Sequence, residues 1–283
     1  MIVSSFYKYT NLKNPEAFQK EHIEFCNKLG IKGKVLIAKE GINGTVSGTR
    51  QQIEKYEKEL SGHKEFKDIK FKRTLSDDHP FKKTIVRLRD EIVTSRFDVN
   101  YKKASKYISP SELKRMYDNK EDFIVVDARN DYESKIGKFK NAITPSIETF
   151  REFPKIIRNL KKYKTKKIIL YCTGGVRCEK ASAVLIKGGF WDINQLEGGI
   201  LNYIEQYPDT YFKGRCFVFD NRLSIGTGNK TKDIAVCEKC HVTCSDYINC
   251  KNVKCDKLFI CCDECKKQFN NTCSKRCKNI LNN

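Results

Sequence analysis

Long apolar runs are missing from this 283-residue chain: no stretch approaches the roughly 18 residues that would cross a bilayer, which predicts a soluble protein with no membrane partner. The opening residues, MIVSSFYKYTNLKN, lack a basic segment followed by an apolar one, so no secretory leader is read there and the cytoplasm is the expected compartment. Histidine is scarce. The four residues His22, His63, His79 and His241 are scattered and show no HxD or HxE spacing, which argues against a facial-triad iron site. No GxGxxG fingerprint marks a dinucleotide-binding turn, and Asn229 precedes Lys230 where a P-loop needs Gly, so residues 226–231 read as a surface loop. The sequence therefore assigns no redox cofactor, and it assigns no oligomeric state.

Positive charge and cysteine are abundant. The formal net charge is +20, and the basic excess is six, seven and seven over residues 1–100, 101–212 and 213–283. An excess spread over the whole chain suits a large polyanion such as RNA better than a basic tail would. Of 14 cysteines, ten lie after residue 236, a crowding that in a chain without a leader points to metal rather than disulfides. Cys237-x-x-Cys240 and Cys262-x-x-Cys265 have the bite of zinc knuckles and are expected to share one structural Zn²⁺. Cys250, Cys255, Cys273 and Cys277 would hold a second, with Cys244 and Cys261 left over and able to displace a neighbour.

The stretch that organises the chain is IILYCTGGVRCEKASAVLIKGG, residues 168–189. It reads as a buried strand that delivers Cys172 onto the loop Thr173-Gly174-Gly175-Val176-Arg177, followed by an amphipathic helix opening at about Cys178. Backbone N–H groups of such a loop, the helix N-terminus and the Arg177 guanidinium all favour thiolate over thiol. Cys172 is the candidate nucleophile and Arg177 its electrostatic partner; Cys178 is held in reserve, as nucleophile, resolving thiol or a Ser-like cap. The spacing Cys172 to Arg177 is CxxxxR, one residue short of the phosphatase CxxxxxR loop, so a phosphate ester fits poorly.

Four segments are expected. Residues 1–95 alternate as strand, helix, two strands, helix and two further strands, with Pro15–Leu29 capped by Asn14; the order implies a ferredoxin-like α+β sheet. Gly41, Asn43 and Gly44 are expected to form the turn of its hairpin. Residues 96–118 form a connector and a first helix, 119–212 an open α/β domain with a parallel sheet, and 213–283 the Cys-rich end. In the α/β domain DFIVVD ends at Asp127, a helix covers about Thr149–Leu160, and Glu197-Gly198-Gly199 makes a turn. Ligands of such sheets gather at the carboxyl ends of the strands, where both Asp127 and Cys172 lie, with Arg129 beside Asp127 as a second supporting residue.

VDARNDYE, YCTGGVRCEKA and LEGGILNY together resemble a rhodanese domain, in which the loop begins at a persulfide-forming Cys, here Cys172. Gly137-Lys138-Phe139 departs from the Gly-His-Ile common at that point, and Cys178 takes a place usually filled by Ser. The rhodanese part, the basic platform containing KVLIAKEGINGTVSG, GRCFVFDNR at 214–222 and the Cys-rich end together resemble the tRNA uridine-34 hydroxylase family across nearly the whole chain. The resemblance implies oxygen-dependent hydroxylation of the wobble uridine at C5, with molecular oxygen as cosubstrate and the tRNA anticodon loop as partner. On that basis Cys172, as thiolate or persulfide, would add to uracil C6 while Arg177 and the loop N–H groups hold developing negative charge. A sulfurtransferase would use the same Cys172; a noncatalytic RNA-binding or redox-sensing module would bind tRNA without a Cys172-dependent product.

Overall fold

A computed structural model describes residues 1–100 and 105–282; positions 101–104, in the middle of the expected connector, lie outside them. Seven elements build the N-terminal part: β1 (Ile2–Tyr9), α1 (Pro15–Leu29), β2 (Lys32–Ala38), β3 (Gly41–Gly48), α2 (Arg50–Gly62), β4 (Lys70–Leu75) and β5 (Thr84–Leu88). Their sheet runs β4-β1-β3-β2-β5, the ferredoxin-like order with β5 added in parallel to β2. Pro15 opens α1 and the Asn14 side chain accepts from the Ala17 N–H, while Thr49 and Gln52 cap α2 reciprocally. Phe18, His22 and Cys26, spaced four apart, bury one stripe of α1; Phe25 and Leu29 are only half-buried at its margin.

The hairpin turn is not at Gly41, Asn43 and Gly44. It is Lys39-Glu40, and the three expected turn residues lie inside β3. Gly44 is needed there because a Cβ would stand 2.8 Å from the Phe6 ring.

The second part carries β6 (Lys106–Ile108), α3 (Pro110–Asp118), β7 (Ile124–Asp127), α4 (Asp131–Lys135), β8 (Gly137–Phe139), α5 (Ile157–Leu160), β9 (Lys167–Tyr171), α6 (Val176–Lys187), β10 (Asp192–Leu196), α7 (Gly199–Gln206) and β11 (Phe212–Gly214). Strands β6-β10-β9-β7 form a parallel sheet, and β6 comes from residues expected to be connector. Alternate residues of β9 go to opposite faces: Ile168 and Leu170 pack with Phe153 and Leu185, Ile169 and Tyr171 with Phe139 and Ile200. The helix expected over Thr149–Leu160 is instead a 3-10 segment, Phe150–Ile156, followed by the single turn α5. Pro154 has no N–H for the α-helical ladder, which accounts for the tighter winding before it ends.

The last part is held by β12 (Cys216–Phe217), β13 (Ser224–Ile225), β14 (Tyr247–Asn249), β15 (Leu258–Ile260), α8 (Asp263–Gln268) and α9 (Lys275–Asn282). It docks on the parallel-sheet part through β11, antiparallel to β8, and through the Tyr247 hydroxyl, which donates to the Tyr132 carbonyl at 2.8 Å. No helix among the described residues is long and apolar enough to cross a membrane.

Helix α6 was expected to be amphipathic, but every residue from Arg177 to Leu185 is buried. The N-terminal part covers its polar side. Lys180 bonds Glu40 Oε1 at 2.9 Å, Glu91 Oε1 at 2.8 Å and the Val93 carbonyl at 3.3 Å, and Tyr9 donates to the Val176 carbonyl. Burial pushes the Glu91 carboxyl up, but the Lys180 ammonium and the Ser95 and Arg96 N–H groups outweigh it and lower it to about 2. Lys180→Met, which strands two carboxylates in this interface, is expected to cost about 3 kcal/mol in urea unfolding. In the parent the Glu91 contribution is complete above about pH 4.5 and is lost as pH falls towards 2; the variant's stability profile should be flatter over that window.

Candidate active site and metal centres

Cys172 follows β9 directly and is 1% exposed. Its loop is clamped from behind by the first turn of α7, where Ile200 N–H donates to the Cys172 carbonyl at 3.0 Å and Leu201 N–H to the Thr173 carbonyl at 3.1 Å. Gly199, at φ +66°, permits this approach: a Cβ there would stand 2.4 Å from the Cys172 carbonyl oxygen. Gly175, at φ +105°, turns the chain into α6, two residues earlier than expected, and its N–H donates to Cys172 Sγ at 3.1 Å. Burial opposes ionisation of Cys172. The Cys178 thiol, the Arg177 charge and the N–H groups of Arg177 and Gly175 overcome it and lower the thiol to about 6. Burial and the neighbouring Cys172 push Cys178 the other way, so the pair divides into one thiolate and one neutral thiol.

Arg177 is not open to a substrate. Both of its terminal nitrogens grip Glu133, Nη1 to Oε1 at 2.5 Å and Nη2 to Oε2 at 2.7 Å, and its plane stands 5.6 Å from the Phe219 ring centroid. It acts on Cys172 through its charge. Asp127 and Arg129 are fully buried and joined side to side, with Arg129 Nη2 also donating to the Gly137 carbonyl at 2.6 Å. They fix the loop that carries Glu133 and so stand one step further from the sulfur. Thr173 Oγ1 reaches Glu133 Oε2 at 3.4 Å, while Gly174 and Val176 face the cleft.

That cleft, about 390 Å³, is walled by all three parts of the chain. Cys172 and its loop form the floor, Phe219 and Arg222 one side, and Tyr7, Asn43 and Lys72 the sheet face opposite. Its size is that of small-molecule sites generally. The sequence pass found none of Tyr7, Asn43, Lys72, Phe219, Arg222 or Glu133. The trace of the sheet wall was there, in the alternation of β1: Phe6 packs on Tyr56 beneath the helices, so Ser5 and Tyr7 must face away from them.

The two sets of four thiols come together as the spacing suggested. Cys237, Cys240, Cys262 and Cys265 have all their sulfurs within 4.8 Å of one another, and so do Cys250, Cys255, Cys273 and Cys277. Separations of 3.6 Å for Cys240–Cys262, 3.5 Å for Cys255–Cys273 and 3.8 Å for Cys273–Cys277 agree with the ~3.8 Å edge of a tetrahedron of sulfurs about 2.3 Å from zinc. Backbone N–H groups of Lys239 and Cys262 point at Cys237 Sγ, and that of Cys273 at Cys250 Sγ, an outer shell that suits thiolate ligands. Cys244 and Cys261 are buried in the surrounding apolar cluster.

Peptide-resolved alkylation measures the Cys172 thiolate directly: its rate should reach half-maximum near pH 6 instead of near 9, and Cys172→Ser should remove that peptide's signal.

Residues 1–92 match the family described as UPF0176 acylphosphatase like domain, residues 109–206 the Rhodanese-like domain, and residues 213–278 the Rhodanase C-terminal family. A solved rhodanese-like domain protein from Staphylococcus aureus is 30% identical, covering 35% of this chain and 90% of its own, with a TM-score of 0.30. Curated proteins from Bacillus cereus (strain B4264) and Bacillus licheniformis, both named tRNA uridine(34) hydroxylase, are each 43% identical over 282 residues, 96% of this chain and 88% and 87% of their own. With that identity carried through the platform, the thiol loop and the cysteine clusters alike, the chain belongs to the tRNA uridine(34) hydroxylase family.

Proposed function

We propose that this chain hydroxylates the wobble uridine of tRNA at C5, using molecular oxygen, and that Cys172 is its nucleophile. The observation that carries the assignment to Cys172 is its thiolate, lowered to about 6, at the floor of the cleft where all three parts of the chain meet. Uridine 34 lies in a single-stranded loop, so turning its base out of the stack costs little. The Cys172 sulfur adds to C6 and C5 becomes the carbon nucleophile towards oxygen. One oxygen atom stays on C5; two electrons and two protons from an external reductant convert the other to water as the C6–S bond breaks. Arg177 keeps Cys172 ionised and does not touch the base; Asp127 and Arg129 hold Glu133, and thereby Arg177, in place. Cys178, as a neutral thiol beside Cys172, donates a hydrogen bond and is not the attacking group. A tRNA substrate agrees with the +20 charge and with the cytoplasm as the place of reaction.

The two four-cysteine groups hold structural Zn²⁺ in this reading, and with four protein sulfurs on each ion no position is left for water. The metal supplies folding energy to a segment that is poor in regular structure.

Two outcomes follow. Cys172→Ser should abolish 5-hydroxyuridine in tRNA nucleosides analysed by mass spectrometry, and undiminished product would remove Cys172 from the reaction. Elemental analysis should find two zinc ions per chain; Cys240→Ser should release one and lower the Tm of the C-terminal part without shifting the Cys172 alkylation profile.

A further inference from the structure

Arg177 was expected to face the reacting base, and its engagement with Glu133 leaves that place open. Among the described residues, one cation lines the cleft without a carboxylate partner. Lys72, on β4, sends its Nζ to the Gly174 carbonyl at 3.3 Å, within the Cys172 loop, and stands 5.8 Å from the Tyr7 ring centroid. The other cleft lysine or arginine groups near the loop differ: Arg222 is paired with Asp220 and Arg177 with Glu133.

The fold makes room for this side chain. A Cβ at Gly198, which has φ +73°, would stand 2.4 Å from Lys72 Cε. Gly199 beside it seats the loop carbonyls, so the Glu197-Gly198-Gly199 turn serves the site twice: one glycine admits the lysine and the next seats the thiol loop. Charged groups around Lys72 are Cys172, Lys70, Glu197 and Glu205, and Glu197 is the ion-pair partner of Lys70. Burial holds the ammonium below the usual lysine range, and the Cys172 charge works against that shift. The thiolate is therefore the negative group that Lys72 meets inside the cleft.

We propose that Lys72 is a further catalytic residue, an ammonium donated by the N-terminal sheet that binds the O4 of the uracil attacked by Cys172. As the S–C6 bond forms, the C5=C6 electron pair moves to C4–C5 and the C4=O4 pair moves onto oxygen. Lys72 donates a hydrogen bond to that oxyanion, and no oxidant is consumed in the step. Before substrate enters, the same charge helps hold Cys172 ionised. The proposal rests on the hydroxylase reading in its substrate, but its charge relation to Cys172 does not.

The test has a tRNA arm and a tRNA-free arm, on the full chain. Lys72→Met should lower kcat for 5-hydroxyuridine formation about a hundredfold with little change in KM, and Lys72→Arg should recover part of it. Without tRNA, Lys72→Met should move the half-maximum of Cys172 alkylation upward by about half a pH unit or more, with Lys72→Arg close to the parent. Gly198→Ala, which displaces the lysine without removing it, should resemble Lys72→Met. Circular dichroism and Tm confirm that each variant is folded. A folded Lys72→Met with parental kcat overturns the proposal, as does an alkylation profile identical to the parent's. A parent chain that makes no 5-hydroxyuridine while Lys72→Met still shifts the alkylation profile would overturn the hydroxylase reading and leave the Lys72–Cys172 pairing supported.

Discussion

A thiolate buried to 1% exposure must be held by fixed donors, or its desolvation returns it to the thiol. The local architecture around Cys172 follows from that constraint. The loop has to turn sharply enough for the Gly175 N–H to face the sulfur, which requires positive φ at Gly175. The turn has to be held from behind, which requires Gly199 against the loop carbonyls. The nearby guanidinium has to be prevented from collapsing onto the sulfur or into solvent, which Glu133 does, and Glu133 is in turn positioned by the loop that Asp127 and Arg129 brace.

What could be read from the sequence was what is local. The strand–loop–helix around Cys172, the order of the N-terminal sheet and the thiol partition each depend on residues a few positions apart or on alternation along one element. The readings that failed are those in which a distant segment overrides local preference. Helix α6 has the spacing of an amphipathic helix, and its Glu179 and Lys180 would ordinarily face water; Tyr7, Tyr107 and Gln195 satisfy the first, Glu40 and Glu91 the second. Glu40 itself lies in the true turn of the β2–β3 hairpin, where its carboxylate was free to be taken for solvent-facing charge. Arg177 was assigned to the substrate because nothing in CTGGVRC reveals Glu133, which lies 44 positions earlier.

The N-terminal sheet illustrates the same limit from the other side. Its order says nothing about chemistry. The functional content is in which face is left after the helices take theirs. β1 gives Ser5 and Tyr7 to that face, β3 gives Asn43 and Thr45, and β4 gives Lys72 and Thr74. Basic residues that look like diffuse surface charge in the sequence thereby become walls of a single slot.

The C-terminal part touches the N-terminal part directly: Arg222 Nη1 reaches Thr74 Oγ1 and the Leu75 carbonyl, each at 3.2 Å, and Asn221 N–H reaches the Pro80 carbonyl at 2.9 Å. With α6 against the first sheet and β11 against β8, the three parts close a triangle of contacts. Two bodies joined by one interface can swing about it, but three bodies joined pairwise form a truss, in which opening one edge strains the other two. The slot above the sulfur is therefore set in width before any nucleic acid arrives, and it is the RNA loop, the softer partner, that must change shape to enter.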